Sequence, residues 1–284
     1  MAIMQRWRRR DPATEEDARP RPAPPSAGAP DRSPHRDAAT TQSADSPSGS
    51  LLDSPALLLV RAAHPKQGAL TAAVVFGVAV LAGRPAREAG VILATVLTGQ
   101  AILGWHNDLV DRRRDRAHEA TGKPLADGRL SPANTWFALI LAALLLLPLS
   151  ITTGITAGMI YLASVAVGML GNVLFRTTPL SWWSWAASYA MLPAYLTYGG
   201  WGGQATGAPP ETAITVLAAL IGVGVHFLRS VWGLVGDHQD GWNSLPLKVG
   251  LKLGATRLLM LSSVYLGVMA VVTVVVASQV GIAR

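Results

Sequence analysis

Along the chain, apolar residues gather in long unbroken runs separated by compact polar segments, instead of in short periodic stripes. The runs cover approximately residues 67–83, 88–105, 132–149, 152–175, 180–199, 212–235 and 255–280. A helix needs about 20 apolar residues to cross the hydrocarbon layer, so the pattern predicts about seven spans. Before the first run, SPALLLVRAAHPK (54–66) is too short to span. With Arg61 and His64 among its aliphatics it reads as an interfacial helix, and Pro65-Lys66 mark the turn into the membrane. Residues 1–53 are rich in Pro, Ala, Ser, Arg and Asp and nearly free of large aliphatics, the composition of a disordered tail. The chain therefore divides into a basic, Pro-rich tail (1–53) and a membrane domain (54–284).

Composition agrees with that division. Half the residues are hydrophobic and 14% are charged, which excludes an ordinary water-soluble domain and points to an all-α, multi-pass transmembrane bundle. The absence of cysteine excludes disulfides and thiolate chemistry. The opening MAIMQRWRRR leads into polar sequence without an apolar core, so no cleavable signal peptide is expected. Lys and Arg outnumber Asp and Glu by 24 to 17, and they gather in the tail and in the segments after the second, fourth and sixth runs. That bias places the tail and those segments in the cytoplasm of a cell-membrane protein, and it needs no nucleic-acid partner to explain it.

Two of the polar segments carry candidate chemistry. After the second run comes Asn107-Asp108-Leu109-Val110-Asp111-Arg112-Arg113-Arg114-Asp115. If the helix continues through it, Asp108, Asp111 and Asp115 fall at i, i+3 and i+7 and share one face. Like charges so close repel one another unless cations lie between them. Mg2+ would serve, since it takes oxygen ligands and leaves room for substrate phosphates; so would pairing with Arg112, Arg113, Arg114 and Arg116 at a solvated helix end. The second segment, HFLRSVWGLVGDHQDGWNSLPLKVG (226–250), repeats the order of acids, then basic residues, then Gly and Pro turns. Carboxylates with Lys and Arg beside them suit a metal-bridged polyphosphate.

These residues resemble the UbiA-type intramembrane prenyltransferases. Asn107, Asp108, Asp111 and Asp115 fit that family's NDxxDxxxD signature, and Lys123-Pro124-Leu125 with Gly128 is similar to its downstream element. In the second segment Asp237 matches the later acid of a DxxxD motif, followed by Gly241, Ser244-Leu245-Pro246 and Gly250. The resemblance covers approximately residues 61–254. There are two departures. Gly233 stands where the earlier acid of the second motif belongs, with Asp240 placed at i+3 from Asp237 to substitute. Nine membrane helices build the family's ring, against the seven or so read here.

The resemblance implies transfer of an isoprenoid chain from a polyprenyl diphosphate to an acceptor small molecule, often an aromatic ring. It implies Mg2+ at Asp108, Asp111, Asp115 and Asp237, with Asp240 as a further ligand, and substrate contacts from Asn107, Lys123, Arg129, Asn172, Arg229 and Lys248. Arg229, where relatives often carry a small amide, is placed to clamp diphosphate directly. Trp182, Trp183, Trp185, Tyr189 and Tyr195 are candidates to face an allylic cation, although aromatic residues also collect at membrane interfaces. A UbiA-type terpene cyclase and a non-catalytic prenyl-diphosphate-binding or partner protein remain open alternatives, as does oligomeric closure of the ring. Membrane lipid is the other expected partner.

Overall fold

The computed structural model describes residues 54–200 and 207–280; the expected disordered tail lies outside the described residues. Within them the chain forms α1 (Pro55–Ala62), α2 (Pro65–Leu81), α3 (Ala86–Ala117), α4 (Pro132–Ile151), α5 (Ile155–Gly171), α6 (Trp183–Thr197), α7 (Thr212–Ser230), α8 (Leu234–Gln239), α9 (Leu245–Leu253) and α10 (Ala255–Val280). No strand occurs among the described residues. Each of the seven apolar runs coincides with one helix: α2 to α7 in order, then α10. Four stretches (Ala86–Ala117, Pro132–Ile151, Thr212–Gln239 and Ala255–Val280) are long and apolar enough to cross a membrane, whereas α2 and α5 are apolar but shorter.

Some boundaries move for identifiable reasons. α3 does not stop with its apolar run at Trp105 but continues through the acids to Ala117, since nothing between Glu88 and Ala117 breaks a helix. α5 ends at Gly171, before the expected 175, and Phe175 takes a left-handed φ of 60° in the turn that follows. Serine starts three helices: Ser54, Ser131 and Ser244 accept backbone N–H bonds from Leu57 (3.4 Å), Ala133 (3.2 Å) and Leu247 (3.4 Å), each with proline in the first helical turn. The Ser244-Leu245-Pro246 step is thus an N-cap followed by a residue pre-set for helix.

Consecutive long helices pack against one another from α2 to α7, α3 also meets α5, and α10 packs on α7. The main core is built from Ile92 and Val96 on α3, Leu139 and Leu146 on α4, Tyr161 and Val165 on α5, and Tyr195 on α6. The outward faces carry exposed Val, Leu, Ile and Phe side chains, including Phe137, Leu144, Ile155, Val264 and Val271, as lipid-facing surfaces require.

The short α1 does more than the interfacial helix that was expected. Its Leu58 and Ala62 are buried against Leu125 and Leu130 of the segment after α3, and Leu59 O accepts a 2.8 Å bond from Trp105 Nε1. At the α1–α2 turn a Cβ on Gly104 would lie 2.7 Å from Ala63 O, so only glycine lets the turn sit directly on α3. His64, left-handed at φ 53°, is thereby carried to the acid-bearing end of that helix.

Candidate active site

The continuation of α3 puts Asp108, Asp111 and Asp115 on one face, and all three are buried. Each meets a cation from elsewhere in the chain. Lys123 Nζ donates to Asp115 Oδ2 at 2.7 Å and lies 3.3 Å from Asp108 Oδ1; His64 Nε2 meets that same Asp108 oxygen at 3.0 Å. Burial works against the Lys123 ammonium, but the charges of Asp108 and Asp115 outweigh it and hold its pKa above the ordinary lysine value. Asp111 Oδ1 stands 2.5 Å from Arg176 Nη1 in the segment after α5. That contact is an ion pair without hydrogen-bond alignment, leaving this buried oxygen otherwise unsatisfied.

The second acidic segment reaches the same face through Arg114. Its Nη2 donates to Asp237 Oδ1 at 2.6 Å, and its Nε bonds Asp240 Oδ2, which also meets His118 Nε2 through Oδ1 at 2.8 Å. Asp237 is buried and Asp240 is exposed. The Arg114 bond, with help from His118, holds the Asp240 carboxyl below its ordinary pKa. Trp242 lies under both arginines, 4.2 Å from the Arg114 guanidinium carbon and 4.9 Å from that of Arg176, and Asn243 N donates to Thr177 O at 2.8 Å. The end of α3, the segment after α5 and the α8 region therefore form one charged surface.

Beneath it a cavity of about 100 Å3 descends between α2, α3, α5, α6 and α7. Near the acids its wall includes His64, Gln67, Asn107, Asn172 and Arg229; further along α3, α5 and α6 come Gln100, Ser164, Trp185, Ser188, Tyr189, Leu192, Val96 and Tyr161. Arg229 stacks over Trp185 with its guanidinium carbon 5.1 Å from the ring. Asn172 is anchored to His106 at 3.1 Å, and His226 to Ser181 at 3.0 Å with its ring 5.8 Å from Trp185.

Most residues singled out from sequence are brought together here: the four aspartates and Lys123 on the charged surface, Asn107, Asn172 and Arg229 on the cavity wall. Two are not part of that wall. Arg129 is engaged by Asp127 at 2.9 and 2.6 Å, and Lys248 is exposed on α9. Of the five aromatic residues proposed to face a cation, Trp185 and Tyr189 line the cavity. Tyr195 is buried behind it against Tyr161, and Trp183 meets Phe175. No local pattern indicates that Arg114 and Arg176 bridge separate segments, or that Trp242 lies beneath both. Arg114 pairs across the fold, not along its own helix.

The donor set suits a hard divalent cation: four aspartates supply only oxygen, and Asp111 carries an oxygen with no hydrogen bond. As the side chains stand, no three acidic or histidine groups among the described residues gather around a single point. Lys123, Arg176 and Arg114 lie between them, so a metal would share or take over these carboxylates.

Fold and site together define a helical membrane protein with an acid-lined charged face above an intramembrane cavity. The model of the UbiA prenyltransferase family matches residues 68–283, and the chain belongs to that family. It is similar in fold to a UbiA homologue from Archaeoglobus fulgidus solved with GPP and Mg2+ (17% identity, TM-score 0.57, covering 78% of this chain and 87% of that one). A structure of a UbiA homologue from the same organism with DMAPP and Mg2+ is similar too (19%, 0.56, 78% and 76%), as is a structure described as digeranylgeranylglyceryl phosphate synthase (18%, 0.50, 73% and 75%). No curated protein matches.

Proposed function

We propose that this protein is a membrane prenyltransferase that moves an isoprenoid group from its diphosphate to a nucleophilic acceptor. The observation that carries the reading is the meeting of two acid-bearing segments, separated by more than a hundred residues, at the mouth of a cavity inside the bundle. The diphosphate would lie between the charged face and the polar upper part of the cavity, and the hydrocarbon in the cavity below it. The Archaeoglobus homologues hold GPP or DMAPP with Mg2+, which supports the same chemistry here.

Asp108, Asp111, Asp115 and Asp237 would hold Mg2+, with Asp240 as an accessory acid. When bound, the ion offsets the charge of the diphosphate and makes it a better leaving group. The chain's own cations do related work: Lys123, freed from a carboxylate, and Arg229 are placed to bind phosphate oxygens. Asn107 and Asn172 offer neutral donors at the same level. Breaking the C–O bond sends its electron pair to the diphosphate and leaves an allylic cation, which the acceptor captures with loss of a proton. The cavity excludes the water that would otherwise capture the cation, and Trp185 and Tyr189 present aromatic faces to it. By the distribution of Lys and Arg, the charged face is cytoplasmic.

The test is diphosphate release by the full chain in membranes, with and without Mg2+, using several isoprenyl diphosphates and aromatic or other acceptors. Mg2+-dependent release coupled to a prenylated product is expected. Absence of release with every donor would favour a non-catalytic binding role, and an acceptor-independent cyclic product would favour a cyclase.

A further inference from the structure

At the far end of the cavity, beside Val96 and Leu192, lies a side chain held from several directions. Tyr161 is 2% exposed, stacks on the equally buried Tyr195 with ring centroids 4.8 Å apart, and donates its hydroxyl to Val96 O at 3.4 Å. It occupies the space where a side chain on residue 99 would otherwise project: a Cβ on Gly99 would lie 2.3 Å from the Tyr161 hydroxyl oxygen. Behind the ring comes packed core, with Ile92 and Ala157 both nearly inaccessible.

Cavity dimensions follow from the helices that line it. On α3 the wall runs from Asn107 to Val96, and on α5 from Asn172 to Tyr161; at 1.5 Å per residue each spans roughly 16 Å. The upper part is polar and belongs to the diphosphate. What is left is at most roughly two isoprene units long, at about 5 Å for each extended unit. The cavity volume of about 100 Å3 is below the roughly 150 Å3 of an engineered cavity that holds benzene.

We propose that Tyr161, seated on Gly99, is the floor that selects short isoprenoid donors and discriminates against long polyprenyl ones. This rests on the transferase reading above, and the experiment separates the two. With the full chain in lipid nanodiscs, competition binding and kcat/KM are measured for C5, C10 and C20 isoprenyl diphosphates. The wild type is expected to favour C5 or C10 over C20 by about tenfold or more, the scale of discrimination that a closed apolar pocket delivers. Tyr161→Ala should move the ratio toward C20 by about tenfold, while Tyr161→Phe, which keeps the ring, should preserve the wild-type ratio. A general loss of stability would lower all donors together and leave that ratio alone.

Equal binding of all three donors by the wild type, with the long tail leaving sideways into lipid, would overturn the floor and leave the transferase intact. So would a Tyr161→Ala protein that folds and keeps the wild-type ratio. If that variant does not fold, Tyr161→Leu and the wild-type profile decide the matter. Failure to bind any isoprenyl diphosphate would overturn the transferase reading itself.

Discussion

The two acidic segments solve the same problem in different ways. In the first, one unbroken helix carries Asp108, Asp111 and Asp115 on a single buried face, so backbone periodicity sets their spacing. In the second, α7 passes through a tight turn at Val231–Gly233 into the six-residue α8, and Asp237 and Asp240 are held by Arg114 from the first segment. The first acidic group is rigid by its own secondary structure. The second depends on a tertiary clamp. Gly233 marks the contrast: a Cβ there would face the Asp237 carboxylate at 3.5 Å, an ordinary contact distance, so a side chain can start at the position of the acid that the chain lacks.

The largest effect is expected in the rigid half. Asp111→Ala removes a carboxylate that is ion-paired with Arg176, and turnover should fall by about a thousandfold with near-normal expression. Steady-state diphosphate release measures this, and unchanged turnover would remove Asp111 from the site. Next comes the clamp. Arg114→Gln leaves the buried Asp237 without its cation and should destabilise the protein by about 2 kcal/mol. Asp240→Asn, at the exposed end, should cost less than about 1 kcal/mol. Equal thermal shifts for these two variants would show that the clamp is not centred on Asp237.

Gly233→Asp makes the second half more like a complete motif. The new acid repels Asp237 in the absence of metal and shares a cation in its presence. The variant should therefore gain more thermal stability from Mg2+ than the wild type does, and it should need several-fold less Mg2+ for half-maximal turnover, roughly a 1 kcal/mol effect. No change in either would mean that Asp240 or Arg229 already fills the role.

The smallest effect is in pH. The folded pKa of Asp240 is depressed by its Arg114 bond, so its contribution to stability is complete above the unfolded carboxylate value and disappears as pH falls through the lower folded value. Fluorescence of Trp242, isolated as the difference from Trp242→Phe, should stay constant from neutrality to about pH 4 and change only below it. A change centred above that range would show that Asp240 is not the controlling group.

The all-helical membrane class, the seven apolar helices and the shared face of the first three aspartates were legible in the sequence, because hydrocarbon thickness and helical periodicity act on each segment locally. The resemblance to the UbiA-type family made the first acid motif recognisable and marked Gly233 as a gap. The cavity was less legible. Trp185 and Tyr189 were candidates on composition, but their positions alone could not separate them from Tyr195, which faces the core, or from Trp183, which meets Phe175. Which side of α6 looks inward depends on packing against α5 and α7.

By itself the sequence determined the medium in which this protein lives, the approximate course of the seven apolar helices and the chemical types at its charged face. Tertiary structure alone decided that Arg114 and Arg176 would reach carboxylates on other segments, that Trp242 would lie beneath both, and that Tyr161 would line the cavity against Gly99. The reason is range: helix formation and membrane partition are set by neighbours within a few turns, whereas an ion pair joins residues up to 126 positions apart and the cavity wall joins residues still further apart, His64 and Arg229 among them, whose meeting depends on how whole helices pack.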